Sequence, residues 1–307
     1  MKIYHSLEEI ESNQPMVIAL GNFDGIHLGH REIIERAVRK ASELGLESGI
    51  FTFANHPRNV IMNEEFTKNI IYFEEKARIL RQLGVDHLFN ITFDETIMEM
   101  TPETFVRELL WERLHMKYGF CGFNYRFGSK ALGDTEVLQR VGAEVGFEIE
   151  VVPPVMIDGQ VISSTLIRNL ISEGQVDQCL KYMGRPYSIN GEVVVGNKIG
   201  QTIGFPTSNL IIDETMVSPA NGVYITLCTY HGVTYPSITN VGNKPTIGKY
   251  EKNVETHIFG FDKELYGKSI HVEFLVKTRD EIKFDSVEAL ADQIKRDCFA
   301  AKAYFSK

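Results

Sequence analysis

The stretch Met16–Leu20 (MVIAL), followed by Gly21-Asn22-Phe23-Asp24-Gly25-Ile26-His27-Leu28-Gly29-His30, decides the fold. Five apolar residues ended by a glycine read as a short buried strand. Beyond the loop, Ile33, Ile34, Ala37, Val38, Ala41 and Leu44 recur at the spacing of one helical face. The order is strand, loop, helix, and it repeats. Residues 48–53, 86–91, 118–123 and 147–152 read as strands, and 73–83, 102–114 and 135–145 as helices. Repeated βαβ units predict a doubly wound, Rossmann-like sheet, mainly parallel, with helices on both faces and right-handed crossovers. Ligands of such sheets bind at the carboxyl ends of the strands, which directs attention to loop 21–30.

The pattern changes near Tyr187. From there β-type runs at 191–195, 223–229, 233–239, 254–259 and 270–276 are separated by Gly, Asn and Pro turns. Helical spacing returns only at Val287, Leu290, Ile294 and Cys298. This predicts a small antiparallel β-barrel closed by one C-terminal helix. The chain is thus of α/β plus β class, with one domain at 1–182 and a second at 183–307.

Composition narrows the function classes. The 307 residues are 43% hydrophobic and 24% charged, as in ordinary globular proteins, which argues against disordered, collagen-like and membrane-spanning chains. With 32 Lys+Arg against 41 Asp+Glu the net charge is −9, a poor match to a broad nucleic-acid surface. A small anionic substrate is compatible, because a single site can be locally positive. No apolar run has the length of a membrane helix, and the first residues lack the apolar core of a secretory leader. A soluble cytoplasmic protein is expected. Cys121, Cys179, Cys228 and Cys298 form no C-x-x-C pair and read as buried thiols of a reducing compartment.

His27 and His30 flank Leu-Gly at the entry to a helix, where glycines allow close backbone approach and unpaired N–H groups attract an anion. This pattern points to phosphate handling. A zinc site would need a further ligand at suitable spacing, and none stands nearby. H-x-G-H in this place is similar to the signature of the nucleotidyltransferases that make adenylylated or cytidylylated cofactors. Three further segments sharpen the resemblance: 53–58 (FANHPR), 122–128 (GFNYRFG) and 162–168 (ISSTLIR). Together they resemble the bacterial bifunctional riboflavin kinase/FMN adenylyltransferases (FAD synthetases), over essentially the whole chain. The resemblance implies that His27 and His30 are catalytic and hold ATP phosphates. Gly21, Phe23, Asp24, Gly25, His56, Arg58, Ser163, Ser164, Thr165 and Arg168 would complete the ATP and phosphate site. Asn124 and Arg126 would hold the flavin. Taken alone, Ser163 to Thr165 read as a plain helix cap. Leu166 stands where the family usually has a basic residue.

The second site centres on 200–209 (GQTIGFPTSN). Thr207 and Asn209 alternate by two, so on an extended segment their oxygens project to one side and suit a hard cation. With 221–224, 240–246 and 254–257 the segment resembles the riboflavin kinase module. Resemblance makes Thr207 and Asn209 the Mg²⁺ pair, Gly200, Gly204, Pro206 and Asn240 part of the kinase nucleotide site, and Glu255 the base. From spacing alone Glu255 reads equally as a solvent-facing strand position. Ile199 and Gln201 replace basic residues usual in the family, and Asn197 an aspartate. Two readings therefore stay open: a bifunctional enzyme, or a monofunctional FMN adenylyltransferase with a kinase-inactive barrel. Mg²⁺, ATP, riboflavin, FMN and FAD are the implied cofactors, substrates and products. No nucleic-acid or membrane partner is expected, and the chain is expected to be a monomer or weak homo-oligomer.

Overall fold

The computed structural model describes residues 1–10, 13–62, 67–196, 203–246 and 249–306. Contacts divide the chain into two units, Met1–Asn69 with Phe73–Ser164, and Ile70–Tyr72 with Thr165–Lys307.

In the first unit, strands β1 (Lys2–Tyr4), β2 (Met16–Leu20), β3 (Glu47–Phe53), β4 (His87–Ile91), β5 (Met116–Gly122) and β6 (Glu148–Val152) form one parallel sheet. Their order is β1-β4-β3-β2-β5-β6. All five residues of β2 are buried, as an apolar run covered on both sheet faces must be. The chain winds from β2 towards β3 and β4 on one side and towards β5 and β6 on the other. The crevice between β2 and β5 is therefore the topological switch point, where the loops after adjacent strands part.

The connecting helices are α1 (Leu28–Leu44), α2 (Pro57–Met62), α3 (Phe73–Gln82), α4 (Glu95–Glu99), α5 (Pro102–Thr104) and α6 (Thr135–Val145). Helix α1 buries Ile33, Ile34, Ala37 and Ala41, as its spacing predicts, but Leu44 in its last turn is exposed. Two features of this unit differ from the sequence pattern. The segment 102–114 is not one α-helix: α5 runs on as a π-helical stretch, Phe105–Arg113. The N–H of Leu114 bonds to the carbonyl of Leu109, five residues back, while Phe105, Val106, Leu109 and Leu110 are buried. The edge strand β1 has no counterpart in the sequence reading, because three residues are too few to show a period.

In the second unit, α7 (Ser164–Ser172) begins at the unit boundary and α8 (Asp177–Met183) follows. The short β7 (Met156–Ile157) and β8 (Gln160–Val161) form a hairpin that precedes them in the first unit. Six antiparallel strands come next: β9 (Tyr187–Glu192), β10 (Ser208–Ile211), β11 (Gly222–Tyr230), β12 (Val233–Thr246), β13 (Lys249–Ile258) and β14 (Ser269–Arg279). They lie in the order β10-β13-β12-β11-β14-β9. The N–H of Val194 bonds to the carbonyl of Asn209 at 2.9 Å, so the chain leaving β9 bridges to β10 and the barrel nearly closes. The strand expected at 191–195 lies instead at Tyr187–Glu192, anchored by the fully buried Tyr187 ring, which packs on Phe274 and whose hydroxyl donates to Val217 O at 2.7 Å. Helix α9 (Val287–Phe305) closes the unit. Its Cys298 and Ala301 pack with Val223, Ile225 and Ile238 of the barrel. On the opposite side of these strands, Thr226, Ser237, Thr239 and Thr256 are fully buried and linked by hydroxyl hydrogen bonds of 2.7–2.9 Å.

Candidate functional site

Loop 21–27 leaves β2 at the switch point and turns sharply. Phe23 has φ +45°, Gly25 φ +82° and Ile26 φ +37°. Glycine suits its position, whereas the two bulky residues are held in a left-handed conformation worth about 1–3 kcal/mol of strain each. Burial over-determines them, since neither the Phe23 nor the Ile26 side chain is exposed. Side-chain donors fix the loop's carbonyls: Thr52 Oγ1 donates to Asn22 O at 2.8 Å, and Ser164 Oγ to Asp24 O at 2.9 Å. Asp24 and His27 are themselves buried.

His27 is the N-cap of α1. Its Nδ1 accepts the N–H of His30 at 3.2 Å, and the two rings stack with centroids 3.7 Å apart. Phe23 meets the His30 ring edge-on at 5.4 Å. A Cβ on Gly29 would lie 3.2 Å from the His27 ring, so glycine leaves room for that stack. Because Nδ1 of His27 accepts, the proton of the neutral ring sits on Nε2, a donor suited to an anionic oxygen. The helix start adds N–H groups and a partial positive charge.

The other residues read from the sequence lie as follows. His56 precedes α2, and its Nδ1 accepts the N–H of Arg58 at 3.2 Å. Asn124 and Arg126 follow β5 in the loop adjacent to the switch point, and the N–H of Tyr125 closes a turn on Gly122 O. Arg126 is exposed and pairs with Asp134 at 3.4 Å. Ser163 and Ser164 belong to the first unit, Thr165 and Arg168 to the second. Lys76 on α3 was not singled out by the sequence. It is buried, and its Nζ donates to Asn22 O at 3.4 Å. An ordinary lysine in an amphipathic helix carries no signal of this placement.

In the second unit, strand register places Asn209, Glu255 and Asn240 side by side across β10, β13 and β12. Asn253, two residues before Glu255 on the same strand face, donates to Glu255 Oε1 at 2.8 Å and to Asn209 Oδ1 at 3.3 Å. Asn253 belongs to no motif of the sequence, and its period-two relation to Glu255 is the one signal that marks it there. Glu255 is not a simple solvent-facing residue. With Thr207, Asn240, His257, Phe205 and Ile294 it lines a cavity of about 260 Å³ between the barrel and α9. Thr207 and Asn209 also line a second cavity of about 480 Å³ that includes Pro206 and Gly196. His257 Nδ1 donates to Pro206 O at 2.8 Å, which fixes the turn before Thr207. A Cβ on Gly196 would come 2.4 Å from Asn209 Nδ2, so only glycine admits the Asn209 amide there. Gly204 has φ +84° in an open turn. Gly200, together with Asn197, Ile199 and Gln201, lies outside the described residues.

A family model described as FAD synthetase matches residues 9–166, and one described as riboflavin kinase matches residues 183–305. The bifunctional riboflavin kinase/FMN adenylyltransferase of Haemophilus influenzae is 35% identical over 294 residues, 95% of this chain and 95% of that one. The chain belongs to this bifunctional family. The protein of the same description from Bacillus subtilis is 32% identical over 310 residues, covering 99% of this chain and 96% of its own. A crystal structure described as a macrolide-efflux protein from Streptococcus pneumoniae has a TM-score of 0.89 at 32% identity, covering 98% of both chains. Among the described residues of the present chain, no helix is long and apolar enough to cross a membrane.

Proposed function

We propose that the chain builds FAD from riboflavin in two ATP-dependent steps, one in each unit. The barrel phosphorylates riboflavin to FMN and releases ADP. The α/β unit transfers AMP from ATP to the FMN phosphate and releases pyrophosphate. One observation carries this reading: both family models match one chain, each over its own stretch, with the histidine pair in the first and Glu255 in the second.

In adenylyl transfer, an FMN phosphate oxygen attacks the α-phosphorus of ATP in line with the leaving pyrophosphate. Such a reaction needs positioning and charge stabilisation more than covalent catalysis. The α1 N-terminus with His27 and His30 supplies donors for the growing negative charge. His56, Arg58, Ser163 and Ser164 add hydroxyl and cationic groups for the remaining phosphates, and Asn124 and Arg126 hold the flavin phosphate end.

In phosphoryl transfer, Glu255 takes the proton of the ribityl 5′-hydroxyl as that oxygen attacks the γ-phosphorus. The Asn253 amide on Oε1 orients the carboxylate for this task. The apolar walls of the 260 Å³ cavity suit a planar flavin ring. Thr207 and Asn209 offer only oxygen donors beside the larger cavity, which fits Mg²⁺ bound mainly through ATP phosphates. When bound, Mg²⁺ supplies charge neutralisation on the triphosphate. The functional boundary falls at 182/183, and four buried free thiols suit the reducing cytoplasm.

The test is product analysis. The purified full chain is incubated with ATP, Mg²⁺ and either riboflavin or FMN, and the flavins are separated. FMN and FAD from riboflavin support both steps. FAD from FMN alone, with riboflavin untouched, leaves only the adenylyl transfer and assigns the barrel a non-kinase role.

A further inference from the structure

Helix α3 carries Lys76 into the interior behind loop 21–27, where only 9% of the residue remains exposed. Its neighbour Glu75 is also buried but takes the Arg78 guanidinium at 2.6 and 2.8 Å. Lys76 turns instead to the loop, donating to the Asn22 carbonyl that Thr52 also holds. Burial pushes its ammonium below the ordinary lysine range, and the carboxylate of Asp24 opposes that shift. A buried cation is costly unless it is paired and hydrogen-bonded. Here it is placed under a turn that carries three positive φ values and leads into the His27 cap.

The geometry points to Lys76 as a positioning residue for adenylyl transfer: it pins the Asn22 carbonyl and balances Asp24, and so holds loop 21–27 in the shape that receives the ATP phosphates. This rests on the proposed reaction of the first unit. Lys76 acts through the Asn22 carbonyl and is assigned no contact with ATP. The strained turn explains why such a support is needed. Burial holds the Phe23 and Ile26 side chains, and the donors to the loop's carbonyls fix the path of the backbone between them into the α1 N-terminus.

The test compares the parent chain with Lys76→Met and Lys76→Arg, following FMN→FAD and riboflavin→FMN in each full-length protein. A charge-assisted hydrogen bond of this kind predicts a rise of about 10- to 100-fold in the KM for ATP of the FMN→FAD step in Lys76→Met. Lys76→Arg, which keeps the charge, recovers a substantial part of that loss, and riboflavin→FMN is unchanged in both. A merely structural role would instead lower the amount of active protein, reducing apparent kcat at constant KM. An unchanged KM in Lys76→Met, or an arginine variant no better than the methionine one, overturns the inference. A parent chain that makes no FAD from FMN overturns the proposed reaction itself, so the two failures are distinct.

Discussion

His27 and His30 stack with ring centroids 3.7 Å apart and 19° between their planes, while the N–H of His30 caps onto His27 Nδ1. The backbone N–H of His30 thereby sets the tautomer of His27, the stack holds the two rings against each other, and both are tied to the start of α1. Replacing His27 by alanine removes the cap and a donor together. The expected cost is about 1 kcal/mol in stability from the lost cap. FMN→FAD turnover should fall by about 10²- to 10³-fold for either histidine, the size seen when one preorganised donor to developing charge is removed. Steady-state assay of both steps checks this, with riboflavin→FMN expected to stay at the parent rate.

Glu255 is oriented by Asn253 and sits on the cavity wall under α9. If it is the base, Glu255→Gln keeps the shape and loses the proton acceptor, so riboflavin→FMN should fall by about 10²- to 10⁴-fold. FMN→FAD should be unaffected. Asn253→Ala should give a smaller loss, because it frees the carboxylate to rotate without removing it. Parallel kcat measurements on the two variants separate these effects.

Gly196 meets the Asn209 amide so closely that a methyl group cannot be accommodated without displacing it. Gly196→Ala should therefore weaken the proposed cation site by about 10- to 100-fold, as expected when a group supporting a metal ligand is moved. The Mg²⁺ concentration giving half-maximal riboflavin→FMN rate reads this directly.

Within the barrel, Thr226 Oγ1 bonds to both Ser237 and Thr239. Thr226→Val leaves two buried hydroxyls short of a partner, and should destabilise the barrel by about 1–3 kcal/mol. Adding Ser237→Ala should return part of that loss, because fewer polar groups are then left unsatisfied. Denaturant unfolding of the single and double variants tests the pairing.

Desolvation raises the thiol pKa to about 12 at Cys121, Cys179 and Cys228 and to about 11 at Cys298. Folded thiols therefore stay protonated at pH 8 and should resist alkylation until denaturant is added. The sign for stability follows: the unfolded thiols ionise from about pH 8.5, so the stabilising difference is complete below that pH and is lost as pH rises towards the folded values. Unfolding free energy measured from pH 7 to 10 should decline at the alkaline end.

How much of this was legible in the sequence depended on the length of each signal. β2, α1 and the loop between them were readable because five apolar residues and a four-turn helical period bracket a glycine-rich turn. β1, with three residues, and the π-helical stretch after Thr104 were not, since neither produces a distinct period. β12 runs beyond the 233–239 that the sequence pattern predicts, because Asn240, Gly242 and Asn243 are turn-type residues that here lie within the strand. In the sites, chemistry-bearing types in tight motifs were visible. Lys76 carries no such signal, because its placement comes from burial rather than from spacing to a motif residue, whereas Asn253 is marked only by its period-two relation to Glu255.

Mixing two full-length variants, His27→Ala/His30→Ala and Glu255→Gln, with riboflavin, ATP and Mg²⁺ and following the flavins over time distinguishes two separate sites acting in sequence from a single shared one. The first variant alone should stop at FMN, the second alone should leave riboflavin unchanged, and the mixture should restore FAD. FAD formed from riboflavin by either variant alone at the parent rate would contradict two separate sites.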